Sequence, residues 1–413
     1  MRNARVLCLV CVPLVCLTSL EAMEVREWNS AAMDMIKSEG ISNHFGNRTT
    51  AMLHVAMFDA VNGIRGQYEP FLSVAQAPQD LPEQAAAASA AFETLTTLYP
   101  SKKDHFQPLY DEQLARVPDG PDKEAAIAYG RLVAQDILAS RENDGSAEAA
   151  GVAYPDGNQP GQWRRTDEKA PMLPGWGQVR PFAMVGGDQF RLIGPPDMAG
   201  YEYARDYAEV MDVGAKNSVS RTGEQITTAR FWVSGIPTIW NLVAHQVSEA
   251  KGHGLLEDAR LFALVNVALA DAQVVGWDMK YHYGFWRPVT AIRQGDLDDN
   301  DSTMADPVWE SLLPSPAFPE YPSGHSTSCA AAATVLAKFV GTDEFTFVLA
   351  SEANPSLPQR TFHGFWAAAR DAGISRIYGG IHFNFSNTEG LEAGRSLGRY
   401  LFENFMTPLI AVP

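Results

Sequence analysis

The chain is 413 residues long, 46% hydrophobic and 20% charged, with a formal net charge of −17. That length allows one large domain or two moderate ones, and the composition is that of a globular chain able to bury a sizeable core. So acidic a body argues against nucleic acid or an anionic membrane as partner, and any anion site within it must be assembled from local cations.

Taken in chain order, residues 1–22 carry Arg2 and Arg5 ahead of an apolar stretch, with the small Ala22 at its end. This reads as a secretory signal, too short to span a membrane comfortably, and implies a secreted or periplasmic protein. Cys8, Cys11 and Cys16 fall inside it, so Cys329 remains as a single thiol and no intramolecular disulfide is expected. Helical periodicity follows over 51–64, 82–99, 123–141 and 257–283, between Gly and Pro breaks. Further helices are expected after Ser323, over about 363–378, and over 389–405, and strand signals are sparse. Residues 151–200 stand apart, because about a third of them are Gly or Pro. A tract of that length is functional or disordered, and Trp163, Trp176, Phe182 and Phe190 argue for an ordered cover. The expected plan is all-α: an N-terminal helical half (23–150), the covering loop (151–200) and a C-terminal helical half (201–413), packed as two bundles.

The chemistry concentrates in the C-terminal half. In YPSGHSTSCAAAA (321–333), Pro322 disfavours helix before it, Ser323 is a good N-cap, and the alanines that follow favour helix. Ser323, Gly324 and His325 therefore sit at a helix N-terminus, where backbone N–H groups and the dipole favour an anion. Two other segments carry cations in apolar surroundings: KYHYGFWRP, with Lys280 and Arg287, and SRIYGGIH, with Ser375, Arg376 and His382. Buried cations are costly without partners. Each alone could be explained by a distant carboxylate, but two guanidiniums, an ammonium and a helix N-terminus together suit a tetrahedral oxyanion. Gln273, Trp277 and Lys280 fall at i, i+4 and i+7, so one helix face can deliver them together. His54 reads as a packed residue and His282 as a structural one, while Asp278 is open between a site cation and solvent.

K-x6-RP, PSGH and SR-x5-H in this combination resemble the superfamily of type-2 phosphatidic acid phosphatases, bacterial acid phosphatases and vanadium-dependent haloperoxidases. The likeness is strongest to bacterial vanadium-dependent haloperoxidases and extends to HVAMFDAVN, WDMKYHYGFWRPVTAIR and GIHFNFSNTEG. The resemblance implies a vanadate (orthovanadate) cofactor with hydrogen peroxide and a halide as substrates; homo-oligomerisation is compatible with it. By position, Lys280, Arg287, Ser323, Gly324 and Arg376 would bind the vanadate oxygens, and His382 would ligate vanadium. His325 would accept the peroxide proton, Lys280 would polarise the peroxide, and Trp277 and Phe318 would line the pocket. Phe318 stands where the family's bromoperoxidases typically carry a second histidine, while chloro- and iodoperoxidases carry phenylalanine; since iodide is the easiest halide to oxidise and the wider likeness is to bacterial enzymes, iodide is expected first, bromide second and chloride last. The rival reading is an acid phosphatase with a phospho-histidine intermediate on His382. Such phosphatases usually place an Asp four residues after that histidine, where this chain has Ser386. His382 is therefore expected to lack a carboxylate partner and to ligate rather than attack.

Overall fold

The computed structural model describes residues 23–409 apart from 79 and 234, so the signal segment lies outside the described residues. Thirteen α-helices are present among them. In the first half these are α1 (Met23–Ser38), α2 (Asn43–Arg65), α3 (Glu83–Leu98), α4 (Lys103–Ala115) and α5 (Pro121–Ser140). After the irregular segment come α6 (Tyr201–Val213), α7 (Gly223–Phe231), α8 (Ile236–Lys251), α9 (Leu255–Tyr283) and α10 (Pro288–Arg293). The last three are α11 (Gly324–Val340), α12 (Phe365–Tyr378) and α13 (Asn384–Asn404). The fold is all-α as expected, and the strands among the described residues form a short antiparallel hairpin, β1 (Phe347–Leu349) with β2 (Arg360–Phe362).

Helix α9 organises the molecule. It is apolar on every side and buried along most of its length, as a helix in the middle of a protein must be. By length and composition it could cross a membrane, but its apolar surface is wholly covered by protein. Helices α2, α3 and α5 pack together on one flank, with α2 against α9, while α11, α12 and α13 pack on the other. One continuous apolar core joins both flanks, from Val25 in α1 to Met406 beyond α13.

The segment 151–200 is ordered irregular chain laid along α9. Asp271 on α9 accepts from the backbone N–H groups of Phe182 and Ala183 at 2.7 and 2.8 Å, which fixes the segment at one point. Asp278 forms a two-point pair with Arg191 at 2.8 Å in both contacts, resolving its role as an anchor for the cover. Gly177 lies so close to α9 that a Cβ there would come within 2.4 Å of the Asp278 Cα.

The two helices that bound the motif region meet almost backbone to backbone. Gly390, Gly394 and Gly398 form a stripe on α13, and Cβ atoms there would come within 2.7, 2.1 and 2.6 Å of the carbonyls of Ser323, Thr327 and Ala331 on α11. This contact sets where the PSGH turn stands relative to His382, two residues before α13. Gly394→Ala is therefore expected to destabilise the protein by about 1–3 kcal/mol, the usual range for overpacking. Gly276→Ala, on α9 with nothing within 4 Å of the added methyl, is expected to leave stability unchanged or raised. Urea midpoints of the two variants test the contrast, and equal midpoints would refute the close-packing account.

Candidate active site

The chain turns sharply after α9. Gly284 at φ 57° caps the helix in the left-handed region, which sends Phe285–Arg287 back across the end of the bundle. Arg287 then enters as the residue before Pro288, fully buried. Its Nε donates to the Phe318 carbonyl at 2.9 Å and its Nη1 to that of Ile381 at 2.7 Å. Nη2 has no hydrogen-bond partner among the described residues. Arg376, near the end of α12, donates through Nη1 to the Trp232 carbonyl at 2.8 Å, while its buried Nε is likewise unpartnered. Burial lowers both guanidiniums to about 10, so both keep their charge at neutral pH.

Ser323 is the N-cap of α11, as expected, and accepts from the Ser326 N–H at 3.3 Å. The turn is tied to α13, since Ser323 N–H donates to the Ser386 carbonyl at 2.9 Å and Ser326 Oγ to Asn387 Oδ1 at 2.8 Å. Those tertiary partners explain why α13 begins at Asn384, five residues before the sequence suggests. Polar side chains that would otherwise favour a turn are held in its first turn by α11 and by Glu320.

His325 lies half-open to a cavity of about 420 Å³ that Gly324, Arg376 and His382 also line. Its Nε2 is 3.0 Å from the Trp232 carbonyl, which can only accept, so this nitrogen carries the proton and Nδ1 is left as an acceptor. Burial, followed by the neighbouring Arg376, pushes the His325 pKa well below 6.5, and the ring is neutral at pH 7. Trp232 was not legible as a site residue, because it contributes through its backbone oxygen.

His382 is buried, and its Nε2 faces Arg287 Nη1 at 3.2 Å. Its Nδ1 is 2.8 Å from Glu320 Oε1. Burial first, and then Arg287 and Lys280, hold its pKa well below 6.5. Burial lifts the Glu320 pKa to about 7, but its Oε1 also accepts from the Phe383 N–H, so the neutral ring donates to it from Nδ1 and the Nε2 lone pair is directed into the cluster of cations. The expectation that His382 lacks a carboxylate is corrected here. Position 386 is indeed a serine, but Glu320, 62 residues upstream, occupies the same role and binds Ser386 Oγ at 2.5 Å. No spacing rule links these positions, so sequence reasoning missed it.

Lys280 is placed differently from the direct contact suggested by the motif. Its Nζ donates to the carbonyls of Pro319, Glu320 and Pro322 at 3.1, 3.0 and 2.5 Å. Burial and Arg287 lower its pKa, with Glu320 opposing, yet three carbonyl acceptors match an ammonium and not an amine. It therefore braces the 319–322 loop, and its charge lies 5.1 Å from the Phe318 ring centre and 5.8 Å from that of Trp277. Those two rings meet at 4.9 Å and form one wall of the cavity. Trp277 Nε1 donates to the Met172 carbonyl of the cover at 3.1 Å. Gln273, on the same face of α9, donates instead to Ser328 Oγ at 2.9 Å.

The N-terminal half also reaches the site. His44 of α2 lines the cavity and meets Trp277 edge-on at 4.0 Å between ring centres. Burial lowers its pKa to about 3, so it is a neutral ring. His282 is exposed, away from the cluster, and is not a structural histidine; His54 is packed and bonded to Asn29 at 2.9 Å, as expected.

The donor set fits a tetrahedral oxyanion bound through oxygen, with one imidazole nitrogen available to its central atom. Two buried guanidinium nitrogens lack partners, the N-terminus of α11 adjoins them, and Gly324 presents no side chain between Trp277 and Lys280. Among the described residues no group of three or more His, Cys, Asp or Glu stands where a bare cation could be held. A pocket of this kind, in a helical protein, suits the oxyanion that the motifs suggested.

The comparisons with known proteins agree. Residues 260–409 match the family model of the second helical-bundle domain of VCPO. The vanadium chloroperoxidase of Curvularia inaequalis is 25% identical, over 82% of this chain and 74% of its own length. A bacterial vanadium-dependent iodoperoxidase of known structure is 26% identical with a TM-score of 0.78, covering 94% of this chain and 97% of its own. A holo bacterial vanadium-dependent chloroperoxidase, 17% identical with a TM-score of 0.70 over 88% and 91%, shares the fold. The chain is thus similar to vanadium-dependent haloperoxidases in sequence and in fold.

Proposed function

We propose that the protein binds orthovanadate and oxidises halides with hydrogen peroxide to hypohalous acid, favouring iodide, then bromide, then chloride. The observation that carries this reading is that Arg287, with Nη2 unpartnered, stands 3.2 Å through Nη1 from His382 Nε2, while Arg376, with Nε unpartnered, lines the same cavity as His382. His382 would ligate the vanadium; Arg287, Arg376 and the N–H groups at the start of α11 would hold the oxygens. When bound, vanadate supplies a redox-inert Lewis acid. His325 takes up a peroxide proton at Nδ1 while the Trp232 carbonyl holds its Nε2–H, and it returns the proton as the oxygen leaves. In the overall balance, peroxide, halide and a proton give hypohalous acid and water, with two electrons passing from halide to peroxide oxygen. The preset guanidiniums stabilise developing negative charge at little reorganisation cost. Lys280 contributes its charge through the loop it braces, and reaches an anion directly only by releasing one of its carbonyls.

The phosphatase reading gains one specific support, since Glu320 gives His382 the carboxylate partner that a nucleophilic histidine uses. The kinship with vanadium haloperoxidases and the aromatic wall of Trp277 and Phe318 favour halide oxidation. The test is activity of vanadate-depleted protein with peroxide and halide, before and after orthovanadate is added. Activity is expected to require vanadate and to be suppressed competitively by phosphate, which fills the same cradle. Full peroxidase activity after dialysis against phosphate and EDTA would rule the cofactor out.

Halide order rests on the ease of oxidation of each halide and on Phe318, which lines the cavity and lies beneath the Arg287 guanidinium at 4.8 Å. A phenyl ring offers no hydrogen bond to activate peroxide further, so the halide that is easiest to oxidise should react best. Steady-state kinetics at matched peroxide are expected to give the highest kcat/KM with iodide. A chloride value equal to or above it would overturn the order.

A further inference from the structure

Glu320 has no counterpart in the motifs that locate the site, yet it is fully buried and the bonds of its side chain point to one task. Oε1 lies 2.8 Å from His382 Nδ1 and accepts from the Phe383 N–H at 3.0 Å, while Oε2 accepts from Ser386 Oγ at 2.5 Å. Its own backbone carbonyl is one of the three that hold Lys280. The carboxylate is thus clamped from both sides, and the imidazole is its one variable partner.

We infer that Glu320 is the positioning residue of the oxyanion site: it fixes His382 in the Nδ1–H tautomer, so that the Nε2 lone pair points at the bound anion's central atom. Without an acceptor at Nδ1 the neutral ring is free to carry its proton on Nε2. That tautomer has no lone pair to offer the cradle and presents an N–H among cations. A carboxylate behind a ligating histidine also raises the basicity of the ligating nitrogen. In this chain the task passes from the position four residues after the histidine to a residue preceding the PSGH turn, with Ser386 reduced to gripping the carboxylate.

The role in holding vanadate rests on the proposed function; the tautomer does not. Heteronuclear NMR of the ring nitrogens, with histidine labelling and vanadate-free protein, reads the tautomer directly. Calorimetric titration with orthovanadate reads affinity. Wild type is expected to show His382 as Nδ1–H, and Glu320→Ala a mixed or Nε2–H ring with vanadate bound about 10–100-fold more weakly. Glu320→Gln, which keeps the shape and an acceptor oxygen, is expected to retain the tautomer and lose affinity to a smaller degree. Glu320→Ala/Ser386→Asp returns a carboxylate from α13 to the Nδ1 side of the ring, where Ser386 already meets Glu320, and is expected to recover much of the loss.

An unchanged tautomer in Glu320→Ala would overturn the inference. If that variant does not fold, wild-type affinity in Glu320→Gln would do so. A folded double variant no better than Glu320→Ala would trace the loss to packing instead of the carboxylate, with the same consequence. Wild-type protein with the expected tautomer that binds no vanadate would instead overturn the proposed function and leave the positioning role standing.

Discussion

Replacing His382 by alanine is expected to abolish vanadate retention while the protein stays folded. Of the proposed contacts it is the one nitrogen able to bond the central atom; the remainder are hydrogen bonds and charge. Loss of a partner behind a metal ligand typically costs roughly 10–100-fold in affinity, and loss of the ligand itself should exceed that. The variant keeps Arg287, Arg376 and the start of α11, so phosphate should still bind, with affinity within about an order of magnitude of wild type. The measurement is a pair of titrations, vanadate and phosphate, on each protein. Equal vanadate affinity in wild type and His382→Ala would show that this histidine is not the ligand.

Removing His325 should separate binding from turnover in the opposite sense. Its Nε2 is committed to the Trp232 carbonyl, which leaves Nδ1 to handle protons in the cavity. Alanine there deletes the base without touching Arg287 or His382, so vanadate should still bind. Turnover should fall by about 100-fold or more, the usual scale for a general acid–base group. Part of any affinity change would come through Arg376, which shares the Trp232 carbonyl with His325. A His325→Ala variant that turns over at the wild-type rate with vanadate bound would remove this residue from the mechanism.

The helices were largely legible because their cause is local. Apolar periodicity marked 123–141 and 257–283 to within two residues of α5 and α9, and Ser323 was identifiable as a cap from its neighbours alone. The hairpin β1–β2 was not, since three-residue strands carry too little pattern and are held by pairing across a ten-residue gap. Nor was the early start of α13 legible, because Ser386 and Asn387 are helical there through partners on distant segments.

For the site, sequence by itself supplied candidates: cations and histidines in apolar surroundings, a combination that suits an anion. Tertiary structure alone decided how each one is used. It showed Lys280 holding a loop by three carbonyls, and Asp278 anchoring the cover through Arg191. It also placed the Trp232 carbonyl behind both His325 and Arg376, and Glu320 behind His382. Residue type is encoded at a position, whereas a proton's location depends on the second heavy atom. That atom can come from anywhere in the chain that packing brings within about 3 Å.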